Sequence, residues 1–184
     1  MRRQMIALAA LAVLSAAGCS PVANDNESAV TLHANFGKGP GQVGIVGVTS
    51  DVVDDVGASQ FDSYDLFVAS VAKNPNAILS DLYVVEYKGY AVSFSRPDGR
   101  NEPGVDVPFG FTRAIGGSIE PGGVSELNII FITPEMKVAP PLRNLFFSAN
   151  QRIYATLHVT IFGRDRVEND VAASAALPIT FADF

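Results

Sequence analysis

Tryptophan is absent from this sequence, cysteine occurs once and histidine twice. A single cysteine excludes an intramolecular disulfide, so the fold rests on its apolar core even in a compartment where disulfides would persist. One thiol and two imidazoles, His33 and His158, give a zinc site too few ligands. A hydrolytic triad needs a nucleophile, a histidine base and an orienting acid. His158 lies mid-strand between Thr156 and Thr160, and Ser118 in Gly116-Gly-Ser-Ile-Glu120 lacks the Gly-x-Ser-x-Gly elbow. The sequence therefore reads as a non-enzyme with no catalytic residue, no metal and no cofactor. Basic residues are also scarce: 13 Lys and Arg face 19 Asp and Glu, a net charge of −6. An acidic surface disfavours nucleic acid and bare anionic membrane.

Long apolar runs are missing too. The longest begins at the N-terminus, where Arg2 and Arg3 precede the ten residues Met5 to Leu14 and the small residues Ser15 to Gly18. A bilayer core of about 30 Å needs about 20 apolar residues in a helix, so this is the layout of a secretory signal peptide, not of a membrane span. The run Leu14-Ser-Ala-Ala-Gly-Cys19 resembles the lipobox of bacterial lipoproteins, with Ala16 where that motif usually has Leu. The resemblance implies that residues 1–18 are removed and that Cys19 takes two or three acyl chains and becomes the mature N-terminus. One acyl chain binds a membrane only marginally, and two or more hold it stably. By resemblance to the lipoproteins of bacteria with two membranes, Ser20 rather than Asp at the second mature position implies sorting to the outer membrane. Without Arg2 and Arg3, eleven basic residues face 19 acidic ones, a mature charge of −8. Residues 19–28, polar and poor in bulky apolar side chains, read as the lipidated cysteine and a flexible tether.

From residue 29 to 184 the chain is the size of one domain. Its apolar residues alternate or cluster in short runs, punctuated by many of the 16 glycines and 11 prolines. That pattern predicts an all-β sandwich or barrel. The clearest strand is Ile153 to Phe162, with Ile153, Ala155, Leu157, Val159 and Ile161 on one face and Tyr154, Thr156, His158, Thr160 and Phe162 on the other. Gly163 to Asn169 turns the chain and Asp170 to Phe181 returns as its partner. Further strands are expected at Val43–Thr49, Tyr64–Val71, Leu82–Tyr87, Tyr90–Ser95, Val107–Thr112 and Glu126–Thr133, with Lys88-Gly89 either a turn or a bulge within one long strand. Pro97-Asp98-Gly99 and Glu120-Pro-Gly-Gly123 are turns, because Pro presets φ and Gly accepts positive φ. Pro134 to Leu145 reads as a crossing loop with one helical turn before Pro140-Pro141. Seven to nine antiparallel strands in an immunoglobulin-like sandwich are expected.

Tyr90-Ala-Val-Ser-Phe94 with Pro97-Asp98-Gly99 resembles the middle strand and turn of fibronectin type III-like domains, and Gly163-Arg-Asp-Arg-Val-Glu-Asn-Asp-Val171 the last hairpin of bacterial Ig-like domains. Together with Lys73-Asn-Pro75, Asp98 to Pro108, Pro141-Leu-Arg-Asn-Leu145 and Phe181-Ala-Asp-Phe184, the chain resembles a group of uncharacterised bacterial lipoproteins. That resemblance implies fold and address, and no activity.

Four other features carry candidate functions. Asp165, Glu168, Asn169 and Asp170 offer oxygens for Ca²⁺, but the spacing is not that of an EF-hand and Arg164 and Arg166 oppose a cation; a solvated hairpin tip is the reading. Asp51, Asp54 and Asp55, near Gly57, Ser59 and Asp62, read as an exposed loop. Phe109, Phe111, Phe146 and Phe147 are either partner-binding aromatics or core filling, and core filling is favoured. The alternating C-terminus ending in Phe184 resembles the last strand of an outer-membrane barrel, against which Pro178 and the lipobox both argue. The expectation is a lipid-anchored, extracytoplasmic binding or adaptor module of the cell envelope with a protein partner. The alternative is a carbohydrate- or calcium-binding envelope lipoprotein.

Overall fold

Period-two alternation places the longest strands of the molecule where the sequence expects them. In the computed structural model, which describes residues 27–37, 47–53, 60–148 and 150–184, β8 (Ile153–Asp165) and β9 (Asp170–Ala182) form the C-terminal hairpin. Their register pairs Ile153 with Phe181, Leu157 with Leu177 and Ile161 with Ala173, so every odd position of β8 faces the core. The other strands are β1 (Val30–Phe36), β2 (Val48–Asp51), β3 (Asp62–Ala72), β4 (Val85–Ser95), β5 (Phe111–Ala114), β6 (Ser118–Ile119) and β7 (Val124–Ile132).

These nine strands of the described residues form an all-β sandwich of two sheets. One has the order β1-β3-β7; the other runs β2-β9-β8-β4-β5, with β6 on β4. This is the A-B-E sheet against the G-F-C-C′ sheet of an immunoglobulin-like domain. The N-terminal strand is divided between them: β1 pairs antiparallel with β3, and β2 crosses over to lie parallel to β9, Val48 to Asp51 beside Ile179 to Ala182. The expectation of antiparallel strands is corrected at this one pair.

Other corrections are local. The expected strands Leu82–Tyr87 and Tyr90–Ser95 are one strand, β4, preceded by a 3₁₀ turn at Asp81–Tyr83. The register slips between Tyr87 and Gly89, so Lys88 is the extra residue of a bulge, one of the two readings of Lys88-Gly89. Val107 is buried outside any strand, and strand pairing starts only at Phe111. Of Val43–Thr49, Val48 and Thr49 lie in β2 and residues 43–46 lie outside the described residues. β1 and β6 were not expected as strands. The crossing loop contains α1 (Pro134–Lys137) and a second 3₁₀ turn, Leu142–Leu145. Both turns with a mechanism form: Gly99 (φ 80°) donates to the Arg96 carbonyl, and Gly123 donates to Glu120 across Gly122 (φ 78°).

The core fills without tryptophan. Leu66, Val68, Ile129 and Phe131 of the smaller sheet meet Val92, Leu157, Val159 and Ile161 of the larger one. Edge-to-face aromatic pairs, Phe94–Phe181 at 5.8 Å, Phe36–Tyr64 at 6.3 Å and Tyr90–Phe111 at 6.4 Å, supply the bulk. Tyr90 also ties the two sheets, its hydroxyl donating from β4 to the Ile130 carbonyl of β7 at 3.1 Å. The strands form an open-edged sandwich and not a closed barrel, and β9 ends at Ala182, before Phe184.

Candidate functional site

Because the odd positions of β8 point inward, its even positions point out, and the register of β4 and β9 arranges their outward residues beside them. Three rows result: Ala91–Thr160–Ser174, Ser93–His158–Ala176 and Ser95–Thr156–Pro178. This grid of nine side chains without Asp, Glu, Lys or Arg, mostly small, lies on the outer face of the six-stranded sheet, across β4, β8 and β9. His158, at its centre, is half-buried, and its Nε2 lies 2.7 Å from the Ser95 Oγ. Thr160 and Ser174 share a hydrogen bond of 2.8 Å. Of the ions that flank the grid, Arg164 holds Glu168 and Asp170, each at 2.8 Å, and Lys88 lies 3.6 Å from Glu86, two cations against three carboxylates. The grid itself holds no Asp, Glu, Lys or Arg, on a chain with a net charge of −6. A flat, neutral field of short side chains suits contact with another flat surface better than enclosure of a small molecule, whose sites are concave.

Of the residues read as catalytic candidates, His158 and Ser118 are far apart in the pairing scheme, since Ser118 lies on β6 beside Glu86. Ser95, which no sequence pattern marks, is the serine that meets His158. Among the described residues His158 makes this one side-chain hydrogen bond, without the orienting acid of a triad. His33 is exposed on β1.

The hairpin tip is built by Asp165. It is 3% exposed, and its carboxylate accepts from the backbone N–H groups of Val167 (3.1 Å) and Asn169 (2.8 Å) and from the Asn169 Nδ2 (2.9 Å). Burial opposes its charge, but the hydrogen bonds from Asn169, Ser28 and Val167 outweigh it and hold the carboxyl below its ordinary range. Arg164 in turn is held charged by Asp170 first and Glu168 second. Both Asp165 oxygens, one of Glu168 and one of Asp170 are thus engaged within the hairpin. Among the described residues no group of three or more His, Cys, Asp and Glu is placed to hold a metal ion. Of the second acidic group, Asp51 accepts from Val53 and Phe184, while Asp54 and Asp55, like Gly57 and Ser59, lie outside the described residues.

Phe109 and Phe147 are exposed, Phe147 by 90%, whereas Phe111 and Phe146 pack against the core; core filling holds for the second pair and not for the first. Cys19 and residues 20–26 of the expected tether lie outside the described residues; Glu27 pairs with Lys73 at 2.8 Å. No described helix is long and apolar enough to cross a membrane.

Sequence pattern alone misses one cluster. Lys137, on α1, is almost fully buried, and its Nζ lies 3.0 Å from Oδ1 of Asp62 at the start of β3. The Ser50 hydroxyl, from β2, donates to Oδ2 of the same carboxylate. No protein-family model and no curated protein matches the chain.

Proposed function

We propose that this chain is a lipid-tethered, extracytoplasmic immunoglobulin-like domain that acts without catalysis, binding another envelope protein through the outer face of its six-stranded sheet. The observation that carries the reading is the nine-residue grid centred on His158, which holds no Asp, Glu, Lys or Arg on a chain with a net charge of −6. Binding there buries short side chains with little rotamer entropy to lose. The address rests on the signal peptide and on Cys19. The test is a cross-linking pull-down from native cells, comparing the wild-type chain with Cys19→Ala, each followed by membrane fractionation. The expected result is a membrane-bound wild type that captures one envelope protein and a soluble mutant that does not. If the mutant fractionates like the wild type, the lipid anchor is wrong. If anchoring holds and nothing is captured, the adaptor reading is wrong.

A further inference from the structure

We propose that Lys137 and Asp62 condense after folding into an intramolecular amide that cross-links α1 to the start of β3. The two groups are held in contact by the fold: Asp62 is the register partner of Ile132, the last residue of β7, and α1 follows β7 directly. The Lys137 side chain is 2% exposed and the Asp62 side chain 20%, with 3.0 Å between Nζ and Oδ1. Taking an ammonium and a carboxylate out of water is unfavourable, and their attraction only partly offsets it; a neutral amide removes both charges. Held in this geometry, amine and carboxyl react as parts of one molecule, with the advantage in effective concentration that such pairs have.

The step needs no other reactant. A proton passes from Nζ to Oδ1 along the existing contact, and the Nζ lone pair attacks Cγ. The Nζ–Cγ bond forms and the Cγ–Oδ1 bond breaks. Oδ1 leaves as water, with two protons that were on Nζ, and Oδ2 remains as the amide oxygen. Nothing is oxidised or reduced. The Ser50 hydroxyl, already donating to Oδ2, stabilises the negative charge that gathers on that oxygen in the tetrahedral intermediate. The partial exposure of Asp62 gives the water a way out. In a chain with a single cysteine, this bond would be the covalent staple of an exported domain that can form no intramolecular disulfide.

Peptide mapping of the full chain purified from cells tests it. Trypsin cuts after Lys38 and Lys73 on either side of Asp62, and after Arg113, Lys137 and Arg143. The expected product is the peptide of residues 39–73 joined to that of residues 114–143, lighter than the two together by one water, with no cleavage after Lys137. The chains carrying Lys137→Arg or Asp62→Ala are expected to give only linear peptides, and the Ser50→Ala chain a smaller cross-linked fraction. Full cleavage after Lys137 in the wild-type chain, with both peptides linear and at full mass, overturns the proposal whether or not any variant folds.

Discussion

Tyr90 is one residue with three tasks: its ring fills space left by the absent tryptophan, its edge meets Phe111, and its hydroxyl reaches the opposite sheet at Ile130. Replacing it by phenylalanine keeps the ring and leaves the Ile130 carbonyl without this donor, so Tyr90→Phe is expected to destabilise by about 1 kcal/mol, read as a lower urea midpoint with an unchanged slope. Burial pushes the Tyr90 phenol up, against smaller opposing effects of Arg113 and Ile130, and burial does the same to Tyr87. Raised phenols in the folded chain mean that the unfolded chain loses protons first as pH rises. Stability is then complete below about pH 10 and falls above it. Melting temperatures from pH 8 to 11 are expected to drop at the alkaline end, less steeply in the double variant Tyr87→Phe, Tyr90→Phe. Asp165 has the opposite sign: its lowered carboxyl stabilises the fold above the ordinary aspartate range, and that contribution fades as pH falls through its folded value. Asp165→Ala is expected to lose about 1–3 kcal/mol by denaturant titration, because the turn loses three hydrogen bonds at once. Asp165 was visible in the sequence as part of an acidic loop, but its inward direction was not. Spacing to Arg164 and Arg166 told of charge and said nothing of which oxygen meets which N–H. Lys137 was less visible still. It sits among Pro134, Pro140 and Pro141, where a loop is the natural reading, and its partner Asp62 is adjacent only through the pairing of β3 with β7.

At the scale of elements, alternation was the informative signal. β8 and β9 carry it over their length, β3 over Leu66–Ser70, and all three lie where it puts them, while β7 adds the apolar run Ile129–Ile132. The short pieces were harder to find. β1 also alternates, through Val30, Leu32, Ala34 and Phe36, yet it adjoins a polar tether and a glycine-rich segment and reads as their continuation. β2 has only four residues, and its parallel pairing with β9 is a property of the crossover between sheets, which no local pattern encodes. The bulge at Lys88 has a cause on its neighbour. Gly163 sits opposite Tyr87, where a Cβ would collide with the Glu86 carbonyl, so β4 and β8 approach closely only because that position is glycine. Gly163→Ala is expected to cost about 1–3 kcal/mol through strain in the packed sheet, measured by thermal unfolding. A change smaller than about 0.5 kcal/mol, the usual size for a harmless surface substitution, would mean that the bulge tolerates the side chain.

Across the whole molecule, charge and topology together locate the candidate face. The larger sheet turns toward solvent a grid without Asp, Glu, Lys or Arg, flanked by two cations paired with three carboxylates, so most of the chain's net charge of −6 lies elsewhere. The fold class, the long hairpin and the outward set Thr156, His158 and Thr160 were legible from period two alone. The neighbours that complete the grid depended on strand order and register, which only the three-dimensional arrangement supplies. The central claim is that this face meets a protein in the envelope. Its most direct test is a photo-cross-linking side chain placed at Ala176, exposed on the grid, and in a second chain at Ile78, fully exposed outside it, each expressed in the native cell. The account expects one discrete cross-linked protein from position 176, absent from position 78 and lost when His158→Arg is added. The same product from both positions, or none from position 176 in a chain that is folded and membrane-bound, would contradict it.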